Sequence, residues 1–385
     1  MTLPALHPDT VAPTDVTGPY LAAHYGQVAS EYAALVAGRG LVIRSDLEIV
    51  AVSGPDRQSW LTTLASNVVR EQQPGQSREL LILDPNGRIE TAAGVIDDGA
   101  TTFLILDAGN AEPTVAFLES MRFMLRVEVQ RRTDLAAVGA ALQVGGDRDA
   151  AAGQLAHTLA FPGAVGTPWI DPWPGTCEGG ATYYSGAHPG ADYVVGLSLV
   201  PVANLPQLAA AWSQHGSLAG LLAWEALRIE RWRPSWRREV DARSVPHELD
   251  WLRTAVHLQK GCYRGQESVA RIVNLGRPPR RLAFLHLDGS LDVLPGPGSP
   301  LRGGPRDREV GHVTSSVLHP ELGPIALALL KRGVEPTAEL TCLADVPGRP
   351  TPVEVPATQT EIVNVEGKSS ASPAQRPGAE LRGHH

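Results

Sequence analysis

The chain is poor in cysteine. Only Cys177, Cys262 and Cys342 occur in 385 residues, far apart and odd in number. That excludes a disulfide framework, and without a Cys-x-x-Cys pair it excludes the commonest thiol sites for zinc or dithiol redox work. A reducing compartment, the cytoplasm, suits such a chain. The phosphate loop G-x-x-x-x-G-K-[ST], a G-x-G-x-x-G after a strand, the G-x-S-x-G elbow and H-E-x-x-H are all missing. Nucleotide hydrolysis, serine hydrolysis and zinc chemistry lose support accordingly. The opening stretch MTLPALHPDTVAPTD has neither the basic nor the apolar region of a signal peptide. No apolar run reaches the length a membrane-spanning helix needs, so no membrane partner is expected. Basic excess is lacking too: the net charge is −8, which speaks against non-specific nucleic-acid binding.

What is present is glycine (39) and proline (32), enough for many turns and few long helices. Residues 47–53 read as a strand closed by Gly54-Pro55, with Asp56 capping a helix over 57–66. A strand at 79–83 leads to DPNG (84–87), a hairpin signal because Asn-Gly tolerates positive φ. Strands follow at 89–96 and 102–107, a helix at 115–125 and a strand at 127–131. This alternation predicts a ferredoxin-like unit with one strand extra. Residues 144–190 give little pattern. A strand at 191–199 and helices at 203–214 and 217–230 suggest a second such unit. Beyond Pro278-Pro279, short strands at 281–289, 308–317, 324–333 and 338–346 predict a small antiparallel barrel.

The expected fold is therefore α+β: two ferredoxin-like units and a C-terminal β-barrel. The expected boundaries are an N-terminal extension (1–34), a first unit (35–143), a second unit (144–277), the barrel (278–355) and a disordered tail (356–385). The tail is assigned on its polar, Ser/Pro/Gly-rich composition.

Two stretches carry chemistry. In LAGLLAWEALRIERWRPSWRREVDAR (218–243), Leu218, Leu222, Glu225 and Ile229 share one helical stripe, so a carboxylate sits among leucines. Arg228, three residues on, can pair with it. An ion pair internal to a buried helix accounts for this. A carboxylate aimed at paired N–H donors, such as a pterin's 2-amino and N3–H, accounts for it as well. The arginines nearby (231, 233, 237, 238, 271, 277, 280, 281) form either a solvated face or a seat for an anionic tail. In KGCYRGQE (260–267), Lys260 and Arg264 flank Cys262 and favour its thiolate. Gly261 and Gly265 permit an exposed turn before a helix starting near Gln266. Gln266 and Glu267 can hold a ligand or cap the turn. The rival reading is a small buried apolar cysteine. With one thiol and only His257 near, a metal held by this chain alone is not expected.

KGCYRGQESVAR (260–271) resembles the signature of the YgfZ-type folate-binding proteins, K-G-C-[FY]-x-G-Q-E. LRIE (227–230), PHEL (246–249), GHVTSS (311–316), PIALALL (324–330), SGPDRQSWL (53–61) and the NGR hairpin (86–88) are similar to other parts of that family. The resemblance spans about residues 35–350. It implies the fold of the glycine-cleavage aminomethyltransferase, with tetrahydrofolate in a central channel. It also implies a role in making or maintaining iron–sulfur enzymes, which would be the partners, and in some members tRNA thiomethylation through such an enzyme. By the same resemblance Cys262 is the redox candidate. Glu230, with Arg228, Lys260, Tyr263, Gln266 and Glu267, is a candidate for folate contact.

The chain departs from the pattern it resembles at two points. The transferases carry paired acids after the first hairpin, where this chain has Glu90-Thr91, and threonine cannot act as the carboxylate. The usual E-A-G reads Glu230-Arg231-Trp232. The leading expectation is a folate-dependent accessory protein. The alternatives are a folate-dependent aminomethyl- or methyltransferase and an RNA-binding protein linked to tRNA modification.

Overall fold

A computed structural model describes residues 10–274, 276–304 and 307–374. The N-terminal half opens with α1 (Val28–Val36), β1 (Gly40–Arg44), β2 (Glu48–Ser53) and α2 (Arg57–Leu64). It continues through β3 (Arg78–Leu83), β4 (Ile89–Asp97), β5 (Thr101–Leu106), α3 (Ala111–Met121) and β6 (Glu128–Arg131). Next come β7 (Leu135–Gln143), α4 (Arg148–Thr158), β8 (Val165–Ile170), β9 (Tyr193–Pro201), α5 (Leu205–Trp212) and β10 (Ser217–Ala219). Helices α6 (Leu221–Glu230), α7 (Trp236–Glu239) and α8 (Gln266–Asn274) precede the barrel. Its strands are β11 (Arg280–Leu287), β12 (Pro300–Gly303), β13 (Arg308–His319), β14 (Gly323–Lys331), β15 (Leu340–Ala344) and β16 (Val353–Glu361).

Three sheets result. The first has the order β3-β4-β5-β2-β6 and is antiparallel throughout. The second runs β10-β1-β7-β9-β8, with only the β1–β10 pair parallel. The third is a closed barrel, β11-β14-β13-β12-β15-β16. The α+β class with a small antiparallel barrel is thus the observed one.

Several expected elements move. Residues 40–44 and 135–143 fall in the second sheet, because β7 pairs with β9 along its whole length and with β1 on its other edge. The chain therefore enters the second sheet before it builds the first. Strand β7 (LAAVGAALQ) escaped prediction since Ala and Gly carry little strand preference. The stretch 144–190 holds α4 and β8, and 217–219 is strand, not helix. The expected tail is overturned over 356–374. Residues 353–361 close the barrel against β11 and β15. Val355 and Ala357 are buried between the exposed Glu354, Pro356 and Thr358, an alternation that the segment's overall composition hid. Beyond it, Asn364 donates to the Tyr183 carbonyl (2.6 Å) and Ser370 N–H to that of Thr182 (2.8 Å). The rest of the tail assignment, 375–385, lies outside the described residues.

Apolar faces explain the layering. Helices α2 and α3 cover the outer face of the first sheet with a core that includes Trp60, Leu61 and Leu118. Helix α4, together with Leu205 of α5, covers the outer face of the second. The inner faces of both sheets, α6 and one side of the barrel share a single large core. The two sheets meet where Trp169 of β8 lies against Gly94 of β4. A Cβ at Gly94 would come within 2.9 Å of the indole. The Trp169 N–H donates to the Arg78 carbonyl at 2.8 Å and fixes the ring there.

Candidate functional site

Helix α6 stands between the two sheets and the barrel. It begins at Gly220, in extended geometry, and ends where Trp232 takes φ 57. A left-handed residue after a helix is usually glycine, which meets no Cβ penalty there. A tryptophan in that conformation costs on the order of 1–3 kcal/mol. Its ring is buried edge-on against Tyr184 (5.0 Å) and His188 (5.1 Å), with Phe284 6.2 Å away. Aromatic burial of this kind offsets the strain.

The inward side of α6 and the segment after it wall a cavity of ≈ 130 Å³, within an outward-opening depression of ≈ 820 Å³ including its solvent side. The inner volume is close to what one benzene-sized ring fills. Its walls are aromatic (Trp169, Trp224, Trp236, Trp251) and charged (Arg44, Glu79, Asp107, Asp171, Glu225, Arg228, Arg231, Arg233).

Six of these charges are tied in two groups. Arg233 bridges Glu79 (2.7 Å) and Asp171 (3.2 Å), and Arg231 reaches Asp171 at 3.3 Å. Glu79 also accepts from the Trp251 indole (3.1 Å) and the Thr254 hydroxyl. In the second group Arg228 grips Glu225 through two bonds of 2.9 and 2.7 Å. It also reaches Glu239 (3.1 Å) and donates to Ser315 of the barrel (2.6 Å). Burial works against the Arg228 charge, yet Glu225 and Glu239 hold its pKa above the ordinary arginine range. Burial likewise pushes the Glu225 carboxyl up, and Arg228 outweighs it, so the net shift is downward. Arg231 is the exception: burial draws it down to about 10 despite Asp171. Within this network, Nε of Arg231 and Nη1 of Arg233 are buried with no acceptor. Buried donors of this kind are normally satisfied, so these two mark where the network is incomplete.

The sequence-derived residues divide. Arg228 and Glu225 line the cavity as part of α6. Glu230 does not. Its carboxylate turns away, accepting from Tyr193 (2.8 Å) and Tyr32 (2.5 Å) and lying 3.3 Å from His319. His319 accepts two backbone N–H groups at Nδ1, so its remaining proton sits on Nε2, toward Glu230. Glu230 is thus a tie between α1, β9, α6 and the barrel. On β4 the cavity-facing residues are Ala92, Ala93 and Gly94. Thr91 bonds Thr114 in the core (2.9 Å) and Glu90 pairs with Arg264 outside (2.7 Å). No carboxylate from that strand reaches the cavity.

KGCYRGQE lies apart from the cavity, docked against the 84–87 hairpin and the end of α2. Gly265 (φ 83) packs against the 84–87 hairpin. A Cβ there would sit 2.5 Å from the Asp84 carbonyl oxygen and 2.9 Å from the Gly87 Cα. Glycine is demanded on both counts. The two cations that flank Cys262 are spent elsewhere. Lys260 donates to the Thr62 and Ala65 carbonyls at the end of α2 and lies 4.8 Å from the Tyr263 ring centre. Burial draws its pKa down to about 8. Arg264 pairs with Glu90 and stacks on Phe117 at 5.1 Å. Tyr263 is buried, and burial pushes its phenol above the ordinary range. Gln266 donates to the Lys260 carbonyl (3.2 Å), bracing the turn, and Glu267 is exposed. Cys262 is exposed and lines none of the larger cavities. Of the other two thiols, Cys177 is half-buried and Cys342 buried, and burial pushes Cys177 up to about 11 and Cys342 to about 12.

Sequence reasoning missed Glu79, Asp107, Asp171 and Trp251. The available signal was an acid at the head of an otherwise apolar strand (ELLIL) and another directly after one (WID). Among the described residues no group of His, Cys, Asp and Glu is placed to hold a metal ion, and no helix is long and apolar enough to cross a membrane.

No family model matches the chain. It is similar to an aminomethyltransferase of Herpetosiphon aurantiacus, 28% identical over 363 residues, covering 89% of this chain and 92% of that one. It is 29% identical over 251 residues to an aminomethyltransferase of Methylococcus capsulatus, covering 63% of this chain and 66% of the other. A chloroplastic protein of Arabidopsis thaliana, named as a candidate transferase, is 35% identical over 96 residues. The chain spans about a fifth of that relative's length and about two thirds of the Methylococcus one. Among solved structures, the glycine cleavage system aminomethyltransferase T of Bartonella henselae superposes with a TM-score of 0.65 at 19% identity, covering 89% of this chain and 90% of that one. The two sheets, the central helix and the closed barrel are therefore the fold of a glycine-cleavage aminomethyltransferase.

Proposed function

We propose that this chain binds a reduced folate in the cavity beside α6 and serves iron–sulfur enzymes as an accessory protein, without transferring an aminomethyl group. The observation that carries the folate part is a ring-sized space walled by the Glu225 carboxylate and by Arg231 and Arg233, each of which keeps one buried guanidinium N–H without an acceptor. Glu225 offers acceptors for the 2-amino and N3–H of a pterin, and the vacant N–H groups of Arg231 and Arg233 suit its 4-oxo oxygen. The remainder of a tetrahydrofolate would extend into the open depression. The similarity to aminomethyltransferases supports a folate ligand. The motif resemblance of KGCYRGQE supports the iron–sulfur role, with exposed Cys262 as the thiol a client enzyme would meet. The alanine and glycine wall of β4 supports the absence of transfer, because no carboxylate there can assist at a reacting amine.

A folate-dependent transferase is the second reading, favoured by the 28% identity to an aminomethyltransferase over nearly the whole chain. Turnover of an aminomethyl donor with tetrahydrofolate would establish it over the first.

Calorimetric titration of tetrahydrofolate tests the site. Wild type binds one equivalent. Glu225→Gln weakens binding about tenfold. Glu230→Gln leaves affinity unchanged, because Glu230 faces away. An absence of heat from wild type at millimolar ligand sinks the reading.

A further inference from the structure

The outer side of the second unit carries a groove that the folate reading does not use. It measures ≈ 470 Å³, within the range of small-molecule sites. Helix α5 supplies Leu208 and Trp212, and the turn after α4 supplies Phe161. The two rings meet edge to face, with centres 6.1 Å apart and 74° between planes. The Trp212 N–H donates to the Arg39 carbonyl at 3.1 Å, which holds the indole in place as a wall.

The polar side chains of this groove include no carboxylate. Arg39, His215, Asn204 and Gln207 line it, and among the described residues no Asp or Glu does. The Arg39 guanidinium has no ion pair or hydrogen bond to the described residues, unlike the cavity arginines. An unpaired guanidinium is a preformed fork for a carboxylate.

We propose that this groove binds a planar aromatic carboxylate, the ring against Trp212 and Phe161 and the carboxylate on Arg39. The aromatic slot provides apolar burial and edge contacts. Arg39 selects the anion over neutral or cationic rings of the same shape. The site shares no residue with the cavity beside α6, so it stands whether or not that cavity takes folate.

The test is calorimetric titration of 2-naphthoate into the full chain at low salt, with 2-naphthalenemethanol as the neutral isostere. One equivalent of naphthoate binds. Arg39→Met weakens naphthoate about tenfold and leaves the alcohol unchanged. Ala211→Trp fills the groove and removes both, and Glu225→Gln changes neither. Absence of one-to-one naphthoate binding at millimolar concentration overturns the proposal. So does an unchanged naphthoate affinity in Arg39→Met, a surface substitution that leaves the core intact.

Discussion

The cavity beside α6 and the loop Lys260–Gly265 are both rich in charge, and they use it oppositely. In the cavity, arginines and acids are buried together, and two guanidinium N–H groups are left without acceptors. In the loop, each cation is consumed by a structural partner, Lys260 by the end of α2 and Arg264 by Glu90, and the thiol is left exposed. Cations close in sequence to a cysteine are therefore not cations close to it in function. A polar site is identified by which donors and acceptors remain unfilled after folding, not by the density of charged letters.

The comparison breaks most visibly at Arg233. Arg233→Met leaves Glu79 and Asp171 buried without their shared partner, and the expected loss is about 3–5 kcal/mol in urea denaturation. A loss below about 1 kcal/mol would mean that the cavity network is not what joins the sheets. On the loop side, Gly265→Ala forces a Cβ against the Asp84 carbonyl and strains a left-handed residue. The expected destabilisation is about 1–3 kcal/mol, with unchanged cavity chemistry.

Acid sharpens the contrast further. Burial draws His247 down to about 4, and burial together with Arg253, Arg231 and Arg148 draws His188 down to about 3. Both stay neutral in the folded chain while the unfolded chain protonates near pH 6.5. The unfolded state then binds more protons, so stability falls as pH drops from about 6.5 toward these lower values. Each histidine contributes up to about 1.4 kcal/mol per pH unit over that window. His188 lies beside Trp232 and His247 hydrogen-bonds the Val269 carbonyl of α8. Denaturation midpoints at pH 7, 5.5 and 4.5 for His188→Gln and His247→Gln apportion the fall between the two regions. The smallest effect is expected from Cys262→Ser, within about 0.5 kcal/mol of wild type, because the side chain is exposed. A larger loss would place the thiol in a packing role.

Much of the fold is legible in the sequence. The Asn-Gly hairpin, the strands around it and the barrel strands with bulky alternating residues announced themselves by turn chemistry and period. Strands β1, β7, β8, β10, β12 and β16 did not. Strands β1, β10 and β12 are only three to five residues long, β7 is rich in alanine, and β16 hides two inward residues between exposed ones. The site was legible in part. Glu225 and Arg228 follow from helical spacing, since three residues bring two side chains together on one face. The orientation of Glu230 depends on Tyr32, Tyr193 and His319, all far away in sequence, and no local pattern announces them. Asp171 and Glu79 are joined only through Arg233, a contact that exists only after the sheets meet.

The most direct measurement is a crystal structure of the chain with tetrahydrofolate. The pterin is expected within the cavity bounded by Trp251, Glu225 and Arg231, with acceptors on Nε of Arg231 and Nη1 of Arg233. A pterin seated instead at Glu90 and Arg264 beside the Cys262 loop, with the cavity still empty, would contradict the account.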